Sequence, residues 1–220
     1  MKGARDMTFD RRMLTLYAVT DSRWLHGQTL AQQVELAIRG GATMVQLREK
    51  GAGEAELIAL ARELAAVCKA HGVPFIVNDS PRIALAADAD GVHLGQKDMP
   101  PDEARRILGS GKIVGATART VEQALRAQAL GADYIGSGAV FGTGTKADAV
   151  PLSREELTAI CRAVDIPVVA IGSVNRENIL RLAGTGGSGA AVISGIFAQA
   201  DVDEAARELR ELSEQMIGQV

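Results

Sequence analysis

Short runs of aliphatic and β-branched residues alternate along the chain with longer stretches in which apolar residues recur every three or four positions. The short runs predict buried strands, and the longer stretches predict helices with one apolar face. The predicted strands are residues 14–20, 43–48, 75–78, 91–94, 112–117, 133–137, 166–171 and 190–194. The predicted helices are residues 29–39, 54–71, 81–87, 101–108, 120–130, a stretch opened by Ser153, 175–183 and 201–216.

Eight strand–helix units in 220 residues give about 27 residues per unit, near the lower length limit of a closed (β/α)₈ or TIM barrel. No proline-rich or charged linker interrupts the series, so we predict an α/β fold with one TIM-barrel domain over residues 1–220. Residues 1–12 are predicted to be a flexible N-terminal extension. A doubly wound open sheet is the alternative, although that fold usually has fewer units.

Local sequence signals support the helix boundaries. Thr120 with Gln123 and Ser153 with Glu156 have the spacing of a capping box. The segment 184–189 satisfies the pattern GxGxxG, but it follows a helix and precedes a strand. A dinucleotide fingerprint needs the opposite order, so we interpret the segment as a turn on the structural end of the barrel.

Composition and charge exclude several classes of protein. The 24 glycines are dispersed, which indicates many short connections and argues against a disordered or fibrous chain. A net charge of −3 argues against a broad nucleic-acid interface. Cys68 and Cys161 lack metal-site spacing and are predicted to be reduced core thiols. The absence of an apolar leader and of a membrane-length apolar run predicts a cytoplasmic protein without a membrane partner.

Candidate chemistry lies where the predicted strands end, because TIM-barrel active sites are built at the carboxyl ends of the strands. Strand 2 ends in Gln46, Leu47, Arg48, Glu49 and Lys50. Side chains alternate along a strand, so the amide and the two cations are predicted to share one face and to meet an anion there. A strand end in which Glu49 pairs with the cations is the alternative.

The next two strands end in carboxylates. Strand 3 runs into Asn78 and Asp79, and Asp98 follows strand 4. Two carboxylates at neighbouring strand ends suit Mg²⁺ with substrate phosphate, although each aspartate alone is equally compatible with a helix cap or a turn. His93 lies within strand 4 and is predicted to be a hydrogen-bonded barrel residue and not a ligand.

Three later segments carry features typical of phosphate sites. The loop after strand 6 runs from Phe141 through Gly142, Thr143, Gly144 and Thr145 to Lys146, and it combines exposed backbone amides, hydroxyls and a cation. It lacks the Walker A pattern, and a mobile loop without a ligand is the alternative. Strand 7 ends at Gly172, and strand 8 ends at Ile193 and Ser194, in the region where this fold often binds phosphate.

These motifs together make the chain resemble the thiamine phosphate synthase (thiamine-phosphate diphosphorylase) family. The segments QLREK, VND, DGVHLGQKD, GADYIGSGAVFGTGTK, VVAIG and VIS occur in the family's order and spacing from Leu14 to Leu212. The resemblance implies a transferase of thiamine biosynthesis. It would join hydroxymethylpyrimidine diphosphate to thiazole phosphate with Mg²⁺, releasing thiamine phosphate and pyrophosphate. A homodimer is compatible with the sequence.

The resemblance also implies roles for individual residues. Arg48, Lys50 and Lys146 would be the catalytic cations, and Asp79 and Asp98 the metal ligands. The substrate-binding residues it implies are Gln46, Leu47, Arg48, Glu49, Lys50 and Asn78 for the pyrimidine substrate, Thr117 and Lys146 for the diphosphate, and Thr143, Gly144, Thr145, Gly172, Ile193 and Ser194 for the thiazole phosphate.

Three positions depart from the commonest family pattern. Thr117 stands where serine is usual, Arg119 where histidine is frequent, and Ser173 where a second glycine is usual. The rival functions are a related thiazole tautomerase of the same fold and a non-catalytic barrel that binds phosphometabolites. The tautomerase lacks the Asn-Asp pair and uses a histidine near the position of Arg119, so this chain sides with the synthase.

Overall fold

The structure, a computed structural model, describes residues 9–49, 51–141 and 151–218. Within them, parallel strands close into a barrel in which each strand pairs with its neighbours in sequence and the last pairs with the first. The closed (β/α)₈ prediction is therefore confirmed, and the open-sheet alternative is wrong. The strands are β1 (Leu16–Val19), β2 (Met44–Leu47), β3 (Phe75–Asn78), β4 (Gly91–Leu94), β5 (Ile113–Thr117), β6 (Tyr134–Gly138), β7 (Val168–Ile171) and β8 (Ala190–Val192).

Helices on the outside of the barrel connect the strands. They are α1 (Leu30–Arg39), α2 (Glu54–His71), α3 (Pro81–Ala86), α4 (Pro101–Leu108), α5 (Val121–Ala129), α6 (Arg154–Ala163), α7 (Ser194–Phe197) and α8 (Val202–Gly218). None of the helices in these described ranges is long and apolar enough to cross a membrane.

Alternation along the strands divides the apolar residues into two layers. Outward-facing residues such as Val45 and Leu47 pack with the helices in one large cluster. Inward-facing residues such as Tyr17, Met44 and Ile76 form a second cluster inside the barrel. Because the lumen is filled with side chains, ligands can approach only at the open ends of the strands.

Capping side chains mark where several helices begin. Thr29 with Gln32 and Ser153 with Glu156 form complete capping boxes at α1 and α6. At α5 the Thr120 side chain accepts from the Gln123 amide, but the Gln123 side chain accepts from the Arg119 amide, so that predicted box is only half formed.

Near the end of the chain one predicted helix is wrong and one predicted strand is shorter than expected. The predicted helix 175–183 is reduced to a 3₁₀ turn at Ile179–Leu182. The Asn175 side chain accepts from the Glu177 amide, and the Asn178 side chain bonds the Asn175 amide and the Ser173 carbonyl, so side chains compete with helical hydrogen bonds. The predicted strand 190–194 ends at Val192, and Ser194 instead begins α7.

The amino-terminal end of the barrel is closed by a short segment. A 3₁₀ turn at Arg11–Leu14 precedes β1, and the Phe9 ring stacks on the buried Tyr134 ring at 5.4 Å between centroids. Of the predicted extension 1–12, the structure describes residues 9–12, and these belong to this closing segment. Cys68 and Cys161 carry free thiols, as predicted.

Candidate active site

Strand ends bring predicted site residues from separate parts of the chain to one mouth of the barrel. Asn78 at the end of β3 pairs in register with His93 of β4, and the Asp79 amide donates to the His93 carbonyl at 2.8 Å. Thr117 ends β5, and Gln46 lies near the end of β2. The closed parallel topology therefore collects these side chains at its carboxyl end.

The end of β2 shows the predicted alternation of faces. The Gln46 side chain points into the barrel and donates to the Tyr17 hydroxyl at 2.6 Å, whereas Leu47 packs against the helices. Glu49 also leaves the lumen, because its carboxylate accepts from the Thr20 hydroxyl and the Ser22 amide. Arg48 and Glu49 form no ion pair in the described part of the chain, so the alternative of a salt-bridged strand end finds no support for this pair.

The loop after β1 places a carboxylate near Arg48. Burial alone would raise the pKa of Asp21, but hydrogen bonds from the Arg23 side chain and amide, with the charges of Arg23 and Arg48, lower it overall. The Thr20 hydroxyl accepts from the Arg48 amide at 3.0 Å and so ties β1 to β2 at the mouth. Arg48 is half-buried there, and its positive charge helps to lower the pKa of Asp21.

The two predicted metal ligands follow neighbouring strands. Asp79 is exposed and adopts a positive φ of 65°, and the helix cap after it is Ser80, whose side chain accepts from the Ile83 amide. Asp98 lies in the turn after β4, where one carboxylate oxygen accepts from the Gly95 amide at 2.6 Å. Neither aspartate is needed as a helix cap, and the Gly95 contact fixes the orientation of the Asp98 carboxylate.

A chain of hydrogen bonds crosses the lumen beneath the mouth. The Tyr17 and Tyr134 hydroxyls lie 2.9 Å apart, the Tyr134 hydroxyl lies 3.0 Å from His93 Nδ1, and His93 Nε2 lies 3.0 Å from the Thr117 hydroxyl. With the bond from Gln46 to Tyr17, four hydrogen bonds connect two predicted substrate-binding residues, Gln46 and Thr117. His93 is a hydrogen-bonded barrel residue, as the sequence predicted.

Two glycines make room for these rings. A Cβ at Gly115 would lie 2.1 Å from the Tyr134 ring, and a Cβ at Gly136 would lie 2.9 Å from His93 Cε1. Burial raises the pKa of both tyrosines, so their hydroxyls are neutral and each offers one proton to the network.

The ends of β7 and β8 bring together the predicted phosphate contacts of the last two strands. Gly172 has a φ of +113°, and a Cβ there would lie 2.5 Å from the Cα of Ala139, so glycine is required by conformation and by space. Ser173 also has a positive φ, at 49°. Ile193 and Ser194 form the junction between β8 and α7 and are both partly exposed.

Several predicted residues lie outside the described residues. These are Lys50 and the loop residues Gly142, Thr143, Gly144, Thr145 and Lys146. The described residues contain no cluster of three or more His, Cys, Asp or Glu side chains that could hold a metal by themselves. Asp79 and Asp98 fit a cation that keeps water and phosphate in its shell, which is how Mg²⁺ is usually bound in proteins.

Tyr17 and Tyr134 were not among the site residues predicted from the sequence. Both belong to apolar runs, Tyr17 in LYAV and Tyr134 in YIGSG, where an aromatic residue is indistinguishable from core packing. The available signal was weak: these are the only two tyrosines in the sequence, and a buried tyrosine hydroxyl usually needs a partner.

Comparison with known proteins matches this chain over nearly its whole length. The family model described as thiamine monophosphate synthase matches residues 16–196. A thiamine-phosphate synthase of Ruminiclostridium cellulolyticum is 48% identical over 90% of this chain and 94% of its own. A thiamine-phosphate synthase of Clostridium tetani is 47% identical over 89% of this chain and 93% of its own length. The structure of a thiamine phosphate pyrophosphorylase from Pyrococcus furiosus superimposes with a TM-score of 0.87. The match covers 94% of this chain and 99% of the other, at 40% sequence identity.

The fold and these similarities define a transferase built as a parallel (β/α)₈ barrel. The chain belongs to the thiamine monophosphate synthase family, and its place is in thiamine biosynthesis. The family resemblance noted from the sequence motifs is thereby confirmed.

Proposed function

We propose that this chain condenses hydroxymethylpyrimidine diphosphate with thiazole phosphate, giving thiamine phosphate and pyrophosphate, and that Mg²⁺ assists the reaction. One observation carries the assignment of the site. The ends of β2, β3, β4 and β5 carry two amides, a cation, two carboxylates and a hydroxyl at the same mouth of the barrel, in a family whose relatives are thiamine-phosphate synthases. Those side chains are Gln46, Arg48, Asn78, Asp79, Asp98 and Thr117.

The reaction needs a site that stabilises a departing pyrophosphate. The bond between the pyrimidine methylene carbon and the diphosphate oxygen breaks, and its electron pair leaves with pyrophosphate. The thiazole nitrogen then donates its lone pair to that methylene carbon, forming the new C–N bond. The nitrogen carries no proton that must be removed, so the site needs charge stabilisation and positioning and no strong general base.

The described side chains are proposed to bind different parts of the pyrimidine substrate. Gln46 and Asn78 provide amide groups of the kind that hydrogen-bond the pyrimidine edge. Arg48 supplies a fixed positive charge for the diphosphate, and Thr117 supplies a hydroxyl beside it. Lys50 and Lys146 are proposed, from the family motif, to add two further cations. Leu47 and Glu49 face away from the lumen, so any contact they make with substrate is proposed to come from their backbone.

The carboxylates of Asp79 and Asp98 are proposed to hold the Mg²⁺. When bound, the cation neutralises charge on the leaving diphosphate. The Gly95 amide holds one Asp98 oxygen, which orients the carboxylate and leaves its second oxygen for a ligand. Two carboxylates leave room in the metal shell for water and phosphate oxygens.

The thiazole phosphate is proposed to bind at the ends of β6, β7 and β8. Gly172 has no side chain to block an approach to its backbone, and Ile193 and Ser194 are accessible beside it. Thr143, Gly144 and Thr145 complete this site by the family motif.

A direct assay tests the proposed function. The purified protein is incubated with both substrates and Mg²⁺, and thiamine phosphate and pyrophosphate are measured separately. Equal amounts of the two products are expected. A folded protein that forms neither would refute the proposal. Arg48→Ala should lower turnover by at least about tenfold, which corresponds to 1.4 kcal/mol of barrier.

The two rival functions give different results in the same assay. A thiazole tautomerase would convert its thiazole substrate without pyrimidine diphosphate and would release no pyrophosphate. A non-catalytic barrel would bind the phosphorylated ligands without turnover. Curated relatives at 47–48% identity are thiamine-phosphate synthases, which favours the condensation.

A further inference from the structure

The hydrogen-bond chain in the lumen has a direction, and the direction follows from which atoms carry protons. The Gln46 side-chain nitrogen can only donate, and it donates to the Tyr17 oxygen at 2.6 Å. Tyr17 has one proton of its own, and its other partner is the Tyr134 oxygen. Tyr17 therefore donates to Tyr134, since a buried hydroxyl proton without an acceptor would be costly.

The hydrogen-bond direction set at Tyr17 extends through Tyr134 and His93 to Thr117 at the mouth of the barrel. The Tyr134 oxygen accepts from Tyr17, so its own proton points to His93 Nδ1. An imidazole whose Nδ1 accepts carries its proton on Nε2, and Nε2 lies 3.0 Å from the Thr117 oxygen. Thr117 thus accepts from His93, and its hydroxyl proton is left to donate to another acceptor.

We propose that His93 is a positioning residue, held as its Nε2–H tautomer by the Gln46 amide through the hydroxyls of Tyr17 and Tyr134, and that this arrangement makes Thr117 a hydrogen-bond donor to an anionic oxygen of the bound substrate. The reversed direction would make Thr117 donate to His93 and turn only lone pairs toward an anion. The last step rests on the proposed function, because that function places a diphosphate beside Thr117.

Packing keeps the chain of groups in place. Tyr17 and Tyr134 are 1% and 0% exposed, so bulk water cannot supply alternative partners to their hydroxyls. The Tyr134 ring stacks against the His93 ring at 5.5 Å and meets the Tyr17 ring edge-on at 6.0 Å. Gly115 and Gly136 leave the space in which the two stacked rings sit. These four hydrogen bonds from Gln46 to Thr117, which we call the relay, are therefore a fixed feature of the free protein.

The tautomer can be measured directly by nuclear magnetic resonance. The protein has three histidines, so ¹⁵N-histidine labelling gives three imidazole patterns, and the variants His26→Gln and His71→Gln assign the third to His93. At about pH 9, above the ordinary pKa of a free imidazole, long-range ¹H–¹⁵N correlation should show His93 with Nε2 protonated and Nδ1 without a proton. A protonated Nδ1 would overturn the proposal.

One substitution tests the relay from its far end. A glutamate carboxylate at position 46 can only accept, so in Gln46→Glu the Tyr17 hydroxyl should donate its hydrogen bond to that carboxylate. Donor and acceptor should then be exchanged in every other hydrogen bond of the relay. His93 should then change to its Nδ1–H tautomer, three hydrogen bonds away from position 46. The double variant Gln46→Glu/Tyr17→Phe keeps the carboxylate but breaks the relay, and it should return His93 to Nε2–H. An unchanged tautomer in Gln46→Glu would contradict the relay.

A further variant covers the case in which Gln46→Glu does not fold. Tyr134→Phe removes the proton that Nδ1 accepts, so the Nδ1 resonance should move to the position of a nitrogen without a hydrogen bond. An unmoved resonance would contradict the proposed direction. All of these spectra are taken on the free protein, so they test the relay even if the condensation assay fails.

Binding of inorganic pyrophosphate with Mg²⁺ tests the role of Thr117. Thr117→Val should weaken binding by about tenfold, the usual effect of losing a hydrogen bond to a charged group, whereas Thr117→Ser should preserve it. Gln46→Glu should weaken binding more than the double variant with Tyr17→Phe, because both carry the same added charge but only the first reverses Thr117. Equal affinity of these two variants would refute the donor role.

Discussion

The hydroxyl oxygens of Tyr17 and Tyr134 lie 2.9 Å apart in the barrel lumen, although one residue belongs to β1 and the other to β6. Neither ring has appreciable contact with solvent. The contact couples two strands that are not neighbours in the barrel wall, through polar groups in an otherwise apolar cluster. Each hydroxyl therefore depends on the other for a hydrogen bond that water cannot replace.

Removing either hydroxyl should destabilise the fold, and the two effects should not add. Tyr134→Phe leaves the Tyr17 proton and His93 Nδ1 without their partner, at a cost of about 1–3 kcal/mol. Tyr17→Phe similarly deprives the Gln46 amide. The double variant should lose less than the sum of the single losses, with a coupling of about 0.5 kcal/mol or more.

Urea unfolding of the wild type, Tyr17→Phe, Tyr134→Phe and the double variant measures the coupling free energy. Phe75→Leu, a change in the outer apolar layer that touches neither hydroxyl, serves as the control and should add independently to either tyrosine variant. If the losses in the free energy of unfolding of Tyr17→Phe and Tyr134→Phe were strictly additive, the contact between the two hydroxyls would contribute nothing to stability.

Alkaline pH should unfold the protein through the same two tyrosines. Burial raises the pKa of both above the ordinary value, so the folded state retains protons that the unfolded state releases from about pH 10 upward. Their contribution to stability is full below that pH and falls as pH rises. Burial also raises the pKa of the Cys68 thiol to about 12, which acts in the same direction.

The measurement is tyrosinate absorbance during an alkaline titration. The sequence contains two tyrosines, and both are buried, so no exposed tyrosine contributes to the signal. Absorbance should stay flat through the ordinary tyrosine range and rise together with the loss of circular dichroism. Titration of either tyrosine near pH 10 in the folded protein would contradict the burial argument.

Sequence periodicity was sufficient to predict the barrel because eight apolar runs alternate with amphipathic stretches. It failed at 175–183, where the Asn175 and Asn178 side chains bond nearby backbone groups, a competition that apolar spacing does not reveal. It also placed Gln46, Arg48, Asp79 and Asp98 at one end of the fold, because that end is set by strand direction alone.

The lumen network could not be predicted in the same way. Tyr17 and Tyr134 are 117 positions apart, and the contact depends on barrel closure and on the space at Gly115. Periodicity indicates which face a residue occupies but gives no information on which inward residue meets which across the lumen. His93 was correctly expected to be hydrogen-bonded, yet its partners required the three-dimensional structure.

The neighbouring residues Gly172 and Ser173 should differ in how much substitution changes the stability of the fold. Gly172→Ala adds a Cβ in a left-handed conformation and 2.5 Å from the Ala139 Cα, so it should cost about 1–3 kcal/mol or more. Ser173→Gly removes a Cβ at a φ of 49°, where glycine is favoured, so stability should change by less than about 1 kcal/mol.

Thermal and urea unfolding of both variants check this contrast. Ser173→Val provides a third point, because a β-branched residue tolerates a left-handed φ poorly and should destabilise the exposed position. If Gly172→Ala were as stable as Ser173→Gly, the backbone between β7 and the 3₁₀ turn would have to rearrange, and the proposed phosphate contact at Gly172 would lose its basis.

The proposed metal ligands can be tested by the dependence of turnover on Mg²⁺. Asp79→Asn and Asp98→Asn each remove one negative charge from the mouth, so the Mg²⁺ concentration at half-maximal activity should rise by about tenfold or more. Asp88→Asn is the matched control. Like Asp79, Asp88 is exposed with a positive φ, but it lies before β4, at the opposite end of the barrel, in an ion pair with Lys112.

Asp88→Asn should lose only the weak effect of a surface ion pair on stability, about 0–1 kcal/mol, and should keep the wild-type Mg²⁺ dependence. A shift in Mg²⁺ dependence for Asp79→Asn and Asp98→Asn, without one for Asp88→Asn, places the cation at the ends of β3 and β4. Unchanged Mg²⁺ dependence in both mouth variants, with turnover intact, would remove these two carboxylates from the metal site and leave Arg48, Lys50 and Lys146 to stabilise the leaving pyrophosphate.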